Sequence, residues 1–184
     1  MTADSTGRSC RVLVTASSRY GATTGIARAI GEELARHNLT AVVLAPEDVG
    51  SIEVYDAVIL GSAVYGGHWL DAAKALVTRS AAALAARPVW LFSSGPVGDP
   101  SRKVVQSMGQ DPVDLPGLLS ATYAREHRMF AGKLDRKNLG FAQRASLLMF
   151  RGLDGDFRDW AGIRDWAAHI AGQFTAPGAL RAAG

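Results

Sequence analysis

Five apolar runs, Arg11–Thr15, Ala41–Ala45, Ala57–Gly61, Val89–Ser93 and about Arg128–Ala131, alternate along the chain with stretches of helical spacing. Several runs are continuous rather than alternating with polar residues, the pattern of strands buried on both faces of a parallel sheet. In the first helical stretch Ile26, Ile30 and Leu34 fall on one face, and Glu32 and Arg36 are placed as a supporting i,i+4 pair. Ala72–Ala86 has the spacing of a second helix with Val77 and Leu84 inward. A third, from about Arg158 to Phe174, buries Trp160 or Ile163 with Trp166, Ala167 and Ile170, and Asp154 or Asp156 would sit near its positive end.

Strands alternating with helices predict βαβ units, hence an α/β, doubly wound, five-stranded parallel sheet. Ligands of such sheets bind outside the carboxyl ends of the strands, where the strand order reverses. The loops after the first, third and fourth strands therefore carry the candidate chemistry.

The first of these, Thr15-Ala-Ser-Ser-Arg-Tyr-Gly-Ala-Thr-Thr24, follows a strand and opens a helix. It aims hydroxyls and unpaired backbone N–H groups at one point, next to the positive end of the helix dipole, which suits a phosphate. It has neither the Gly-x-Gly-x-x-Gly of a dinucleotide fold nor a Walker loop. No carboxylate stands among Thr15, Ala16, Ser17 and Ser18, so the loop suits holding a phosphate ester rather than moving a phosphoryl group. An ordinary hydroxyl-capped turn would look similar. The third-strand loop is Gly61-Ser-Ala-Val-Tyr-Gly-Gly-His-Trp69 and the fourth is Ser93-Ser-Gly-Pro-Val-Gly-Asp99. Their glycines permit close approach to a flat ligand, and Tyr65 and Trp69 offer stacking faces. Alternatively, the glycines only serve tight turns and the aromatics cover the sheet end. Taken together, the three loops match a phosphorylated, planar, conjugated cofactor.

Composition bounds the picture. At 184 residues, 48% hydrophobic and 20% charged, the chain fits one globular domain. The expected division is a flexible stretch over 1–9, a single domain over 10–175 and a flexible tail over 176–184. No membrane span or apolar signal region is legible, and the lone Cys10 allows no internal disulfide, so cytoplasmic residence is expected, with peripheral contact at the inner membrane face as an option. No metal site is expected; His37, His127 and His169 show no ligand-like clustering, and no Ser–His–acid arrangement is legible. The net charge of +3 is uneven: residues 125–151 hold seven basic side chains against two acidic ones, and the remainder carries 13 basic and 15 acidic. On a helical wheel Lys137, Arg144 and Arg151 form one stripe, which fits an anionic membrane surface, an acidic protein or a merely solvated helix. No nucleic-acid motif accompanies it.

The order of elements and the loops resemble the flavodoxin-like fold, with strand order 2-1-3-4-5. Within it the chain is most similar to the menaquinone-dependent protoporphyrinogen oxidases and related flavodoxin-domain proteins. Their first loop runs roughly Ser-Thr-Arg-x-Gly-x-Thr, matched by Ser17–Thr23, and their third-strand loop is similar to Gly61–His68. They also carry a basic helical insertion after the fifth strand and an Asp-Trp before the last helix, matched by Lys133–Arg151 and Asp159-Trp160. The chain departs from the oxidase pattern at Tyr65, where a basic residue is usual, and in its short fourth-strand loop.

The resemblance implies an FMN-binding oxidoreductase, in its most specific form one acting on a porphyrinogen with a quinone as acceptor. It implies that Ser17, Ser18, Arg19, Tyr20, Gly21, Ala22 and Thr23 hold the FMN phosphate. Ser62, Ala63, Val64, Tyr65, Gly66 and Gly67 would line one side of the ring, and Ser93, Ser94, Gly95 and Val97 would approach its edge. His68 is the histidine nearest the ring and a candidate proton shuttle; a solvated rim histidine is the plainer reading. The competing functions are a non-catalytic electron carrier and a flavin-free or deazaflavin-binding module. Carrier flavodoxins are generally acidic, and the basic balance of this chain argues against that role.

Overall fold

The computed structural model describes residues 9–95, 111–134 and 155–175. Five parallel strands form the central sheet: β1 (Arg11–Ser17), β2 (Thr40–Leu44), β3 (Ala57–Tyr65), β5 (Val89–Ser94) and β6 (Glu126–Phe130). Their order is β2-β1-β3-β5-β6, the predicted doubly wound arrangement. The short β4 (His68–Trp69) folds back antiparallel on the end of β3.

Alternate residues of each strand enter two separate cores. Val12, Val14, Ile59, Trp90 and Phe92 pack with α1 (Ala22–Arg36) and α5 (Trp160–Thr175). Leu13, Val58, Leu60, Val89 and Leu91 pack with α2 (Asp71–Arg79), α3 (Ala81–Ala85) and α4 (Leu115–Thr122). The continuous apolar runs are thus explained by burial on both faces.

Several local expectations are corrected. The predicted helix over 72–86 is two helices, because Ser80 leaves helical geometry at φ −120 and ψ 17 while Val77 and Leu84 still point inward. The ion pair on α1 uses Glu33, not Glu32: Glu33 Oε2 lies 2.6 Å from Arg36 Nη1, and Oε1 lies 3.3 Å from His37 Nε2. At the start of α5 the capping carboxylate is Asp159, which accepts the Gly162 N–H at 3.0 Å. Asp156 instead pairs with Arg158, and Asp154 lies outside the described residues. In α5, Ile163, Trp166, Ala167 and Ile170 are buried as predicted. Helix α4, which has no helical signature strong enough to be read from sequence, begins at Leu115-Pro116, a proline position helices tolerate at their first turn.

The largest correction concerns the strand ends. β1 runs on to Ser17 and β3 to Tyr65, so residues expected in loops are strand residues. Serine is a weak strand former, but here Ser17, Ser62, Ser93 and Ser94 pair in register across β1, β3 and β5. The segment leaving β6 forms β7 (Lys133–Leu134), which pairs antiparallel with β8 (Gly155–Asp156), so the chain departs and returns at one place. The basic stripe Lys137, Arg144 and Arg151 falls between these strands, outside the described residues. No helix among the described residues is long and apolar enough to cross a membrane.

Phe92 joins the layers on one face: its ring lies over Gly61 and contacts Phe130 and Trp166 at centroid distances of 6.0 and 6.2 Å. Phe92→Ala should therefore cost about 3–5 kcal/mol, measured as a lowered urea midpoint, because both the buried area and the cavity term are lost.

Candidate functional site

Three chain segments meet at the carboxyl ends of β1, β3 and β5. The first is the turn from Ser18 to Gly21. Gly21 sits at the start of α1 in the left-handed region, φ 81, and as the N-cap residue has no side chain of its own to cap the helix. The chain thus enters α1 through a turn that glycine takes without strain. Ser18 Oγ accepts the Thr23 N–H at 3.2 Å, so a hydroxyl and an amide converge inside the turn. Thr23 is itself buried.

The second segment is the hairpin tip. Gly66 and Gly67, at φ 58 and φ 83, form a two-residue turn that folds β4 onto β3. Across it Tyr65 and His68 are directly paired. The tip leans on the first turn: the Arg19 guanidinium lies 4.8 Å from the Tyr65 ring centroid, and the Tyr20 ring meets Tyr65 edge-on at 6.5 Å. Tyr20 and Tyr65 stay about one-third exposed, at 36% and 37%. Partial burial and the nearby Tyr20 push the Tyr65 hydroxyl above its ordinary pKa, against the pull of Arg19.

The third segment, Ser93-Ser94-Gly95, closes β5, and the Gly95 N–H donates to Phe130 O at 2.9 Å. The expected Val97 lies outside the described residues.

A segment the sequence did not flag holds the hairpin. Val113 N–H donates to Gly67 O at 2.9 Å, and Asp114 accepts the Trp69 N–H at 2.8 Å. The same carboxylate lies 3.1 Å from His68 Nδ1. Burial alone would raise the Asp114 carboxyl; the hydrogen bonds from His68 and Trp69 and the charge of Lys74 outweigh it and hold the group below its ordinary value. His68 is therefore oriented through Nδ1, with Nε2 directed elsewhere on a half-exposed side chain.

Not every expected side chain faces the site. Trp69, expected as a stacking face, is buried, and its indole N–H donates to Ser93 Oγ at 2.8 Å. Ser62 is fully buried, its Oγ accepting the Leu70 N–H at 2.9 Å and donating to Ala63 O. Their hydroxyls are committed to the protein, so Ser62 and Ser93 have only backbone to offer a ligand. Of the residues grouped from the sequence, Ser18–Thr23, Tyr65–His68 and Ser94–Gly95 gather at one edge of the sheet.

Ser93 Oγ also lies 2.8 Å from His127 Nε2, whose Nδ1 is 3.5 Å from Asp111. This serine–histidine–acid chain, illegible from residue order, is formed by β5 and β6 side by side. Ser93 is fully buried and its oxygen already accepts the Trp69 indole, so the chain is a structural network, not a nucleophile.

The model of the flavodoxin domain matches residues 13–159. The chain belongs to the flavodoxin-domain family. Solved structures of similar fold include a flavodoxin from the domain Archaea, at 15% identity and TM-score 0.60, covering 89% of this chain and 97% of that one. A flavodoxin of Streptococcus pneumonia TIGR4 has 16% identity and TM-score 0.58, covering 89% of this chain and 99% of that one. The rubredoxin:oxygen oxidoreductase of Desulfovibrio gigas has 14% identity and TM-score 0.58; 90% of this chain is covered but only 36% of that larger one. At such identities the likeness is one of fold. No curated protein matches the sequence. The turn at α1 and the Tyr65 hairpin thus lie at the carboxyl rim of a flavodoxin-type sheet, the rim at which open α/β sheets in general take their ligands.

Burial, the dominant influence, holds His127 below its ordinary pKa of 6.5, against the pull of Asp111 and Glu126, so the folded protein keeps the ring neutral. Below about pH 6.5 the unfolded chain takes up a proton the folded one resists, and stability falls as pH drops toward the folded pKa. Urea midpoints should fall between about pH 7.5 and pH 5.5 in the native protein. They should fall less in His127→Gln, which cannot titrate.

Proposed function

We propose that the chain binds FMN along the edge formed by β1, β3 and β5 and acts as a flavin-dependent oxidoreductase. The observation that carries this reading is the contact between the phosphate-type turn and the glycine hairpin. The turn into α1 at Gly21, with Ser18 Oγ bonded to the Thr23 N–H inside it, brings a hydroxyl donor and a helix start together, which fits a phosphate monoester. The Tyr65-Gly66-Gly67 tip, braced by Arg19 and Tyr20, fits the face of a flat ring. The fit is selective: Ser18 offers a hydroxyl, while Ser62 and Ser93, whose hydroxyls are bonded within the protein, offer only backbone.

In this reading Ser18, Gly21, Ala22 and Thr23 hold the phosphate, with Ser17 behind them, and Tyr65, Gly66 and Gly67 flank the ring opposite Ser94 and Gly95. FMN, when bound, supplies the electron transfer itself. The chain supplies orientation, exclusion of water from the ring face, and a proton-handling group. His68 suits that last role, since Asp114 fixes Nδ1 and leaves Nε2 to take or release a proton. A group able to move protons favours an enzyme over a one-electron carrier. The finer assignment, a protoporphyrinogen-oxidase-like enzyme with a quinone acceptor, rests on the likeness of Ser17–Thr23 and Gly61–His68 to the loops of that branch.

Titration with FMN should give about one equivalent per chain and quench flavin fluorescence; absence of binding overturns the reading. Ser18→Ala should weaken FMN roughly tenfold, in line with loss of one hydrogen bond to a charged group. Under continuous photoreduction with EDTA as sacrificial electron donor, the FMN-bound protein should reduce a quinone to the quinol over many cycles, and His68→Asn should slow each reoxidation by about 100-fold, the lower bound for loss of acid–base help. Stoichiometric electron transfer without turnover would identify a carrier instead.

A further inference from the structure

Arg158 is nine-tenths buried, with 10% of its side chain exposed, and lies far along the chain from the phosphate turn. Its Nε donates to Asp156 Oδ1 at 2.7 Å and its Nη2 pairs with Oδ2 of the same carboxylate, a two-pronged grip. The guanidinium plane stacks on Trp160, 4.3 Å from the ring centroid. With those prongs fixed, the remaining Nη1 donates to the Ala22 carbonyl at 3.2 Å. The guanidinium fits there because residue 25 is glycine: a Cβ on Gly25 would lie 2.6 Å from Nη1.

Ala22 O and the Thr23 N–H belong to one rigid, trans peptide unit and point in opposite directions. Arg158 grips the carbonyl side of that plane, and Ser18 Oγ meets the amide side, at 3.2 Å. The pair with Asp156 neutralises most of the guanidinium charge, so the effect is one of aim and polarisation rather than long-range attraction. A hydrogen bond on the carbonyl fixes the tilt of the plane and strengthens its N–H as a donor.

We propose that Arg158 is a positioning residue for the phosphate turn, aiming the Thr23 amide through the Ala22–Thr23 peptide plane. The inference rests on the FMN reading above for its ligand but not for its geometry. None of the sequence signals around the turn points to Arg158, because the contact joins the first helix to the segment before the last one.

FMN and riboflavin share the ring and differ in the phosphate, so their affinities separate a phosphate effect from a general one. In Arg158→Met the dissociation constant for FMN should rise about tenfold, the scale of a charge-assisted hydrogen bond, with that for riboflavin unchanged within about twofold. Arg158→Lys, which restores a donor without the fork, should recover part of the loss. Gly25→Ala, which displaces the guanidinium without removing it, should act in the same direction as Arg158→Met. Equal weakening of both flavins, or of neither, overturns the proposal. Hydrogen exchange in the flavin-free protein provides an independent arm. The Thr23 amide should exchange at least about tenfold faster in Arg158→Met, while Ile30 in the middle of α1 stays protected. Unchanged Thr23 exchange overturns the positioning role whatever binds. If the native protein binds no FMN but Thr23 exchange accelerates, the cofactor reading falls and the positioning role stands.

Discussion

Burial of the parallel strands on both faces constrains everything else in this molecule. Once α1 and α5 cover one side and α2, α3 and α4 the other, connections can pass only over the strand ends. Polar groups that the interior rejects are forced to the same two rims, and the carboxyl rim receives the helix start at Gly21 and the hairpin at Gly66-Gly67. The gathering of polar and glycine-rich loops at that rim is a consequence of how the sheet is wound.

At the rim the boundary between interior and site is drawn by hydroxyls. Ser62 and Ser93 sit one strand apart in the sheet, and each turns its oxygen into the protein, toward Leu70 and toward Trp69 and His127. These bonds let serine occupy buried strand positions that would otherwise leave polar atoms unpaired. They also anchor β4, and with it the hairpin, to the end of the sheet. Ser18 lies just past the end of β1 and keeps its oxygen within the turn. The difference between a serine committed to the core and one in the rim turn is here a matter of strand end: Ser17 closes β1 and Ser18 begins the turn.

Two distant segments finish the site. The stretch before α4 braces the hairpin through Val113 and Asp114, and the stretch before α5 braces the turn through Arg158. In both cases a side chain next to a helix start reaches back to the backbone at the start or end of an earlier element, Trp69 of β4 and Ala22 of α1. Such braces restrict the loops without filling the space between them, as a preorganised binding edge requires.

The alternation of apolar runs and helical stretches determined the fold class, because two-sided burial leaves continuous runs that no solvent-exposed sheet would tolerate; the strand order followed only from the resemblance to the flavodoxin-like fold. The sequence also determined the phosphate-type turn, whose chemistry is local: glycine and hydroxyls beside a helix start. Strand extension to Ser17 and Tyr65, the break at Ser80 and the inward turn of Trp69 were decided by tertiary partners, such as the Ser93 oxygen that meets the indole. So were the pairing of His68 with Asp114 and the grip of Arg158 on Ala22, which join residues 46 and 136 positions apart. Pattern along a chain records which faces must be buried; it carries no record of which distant polar groups will meet once they are.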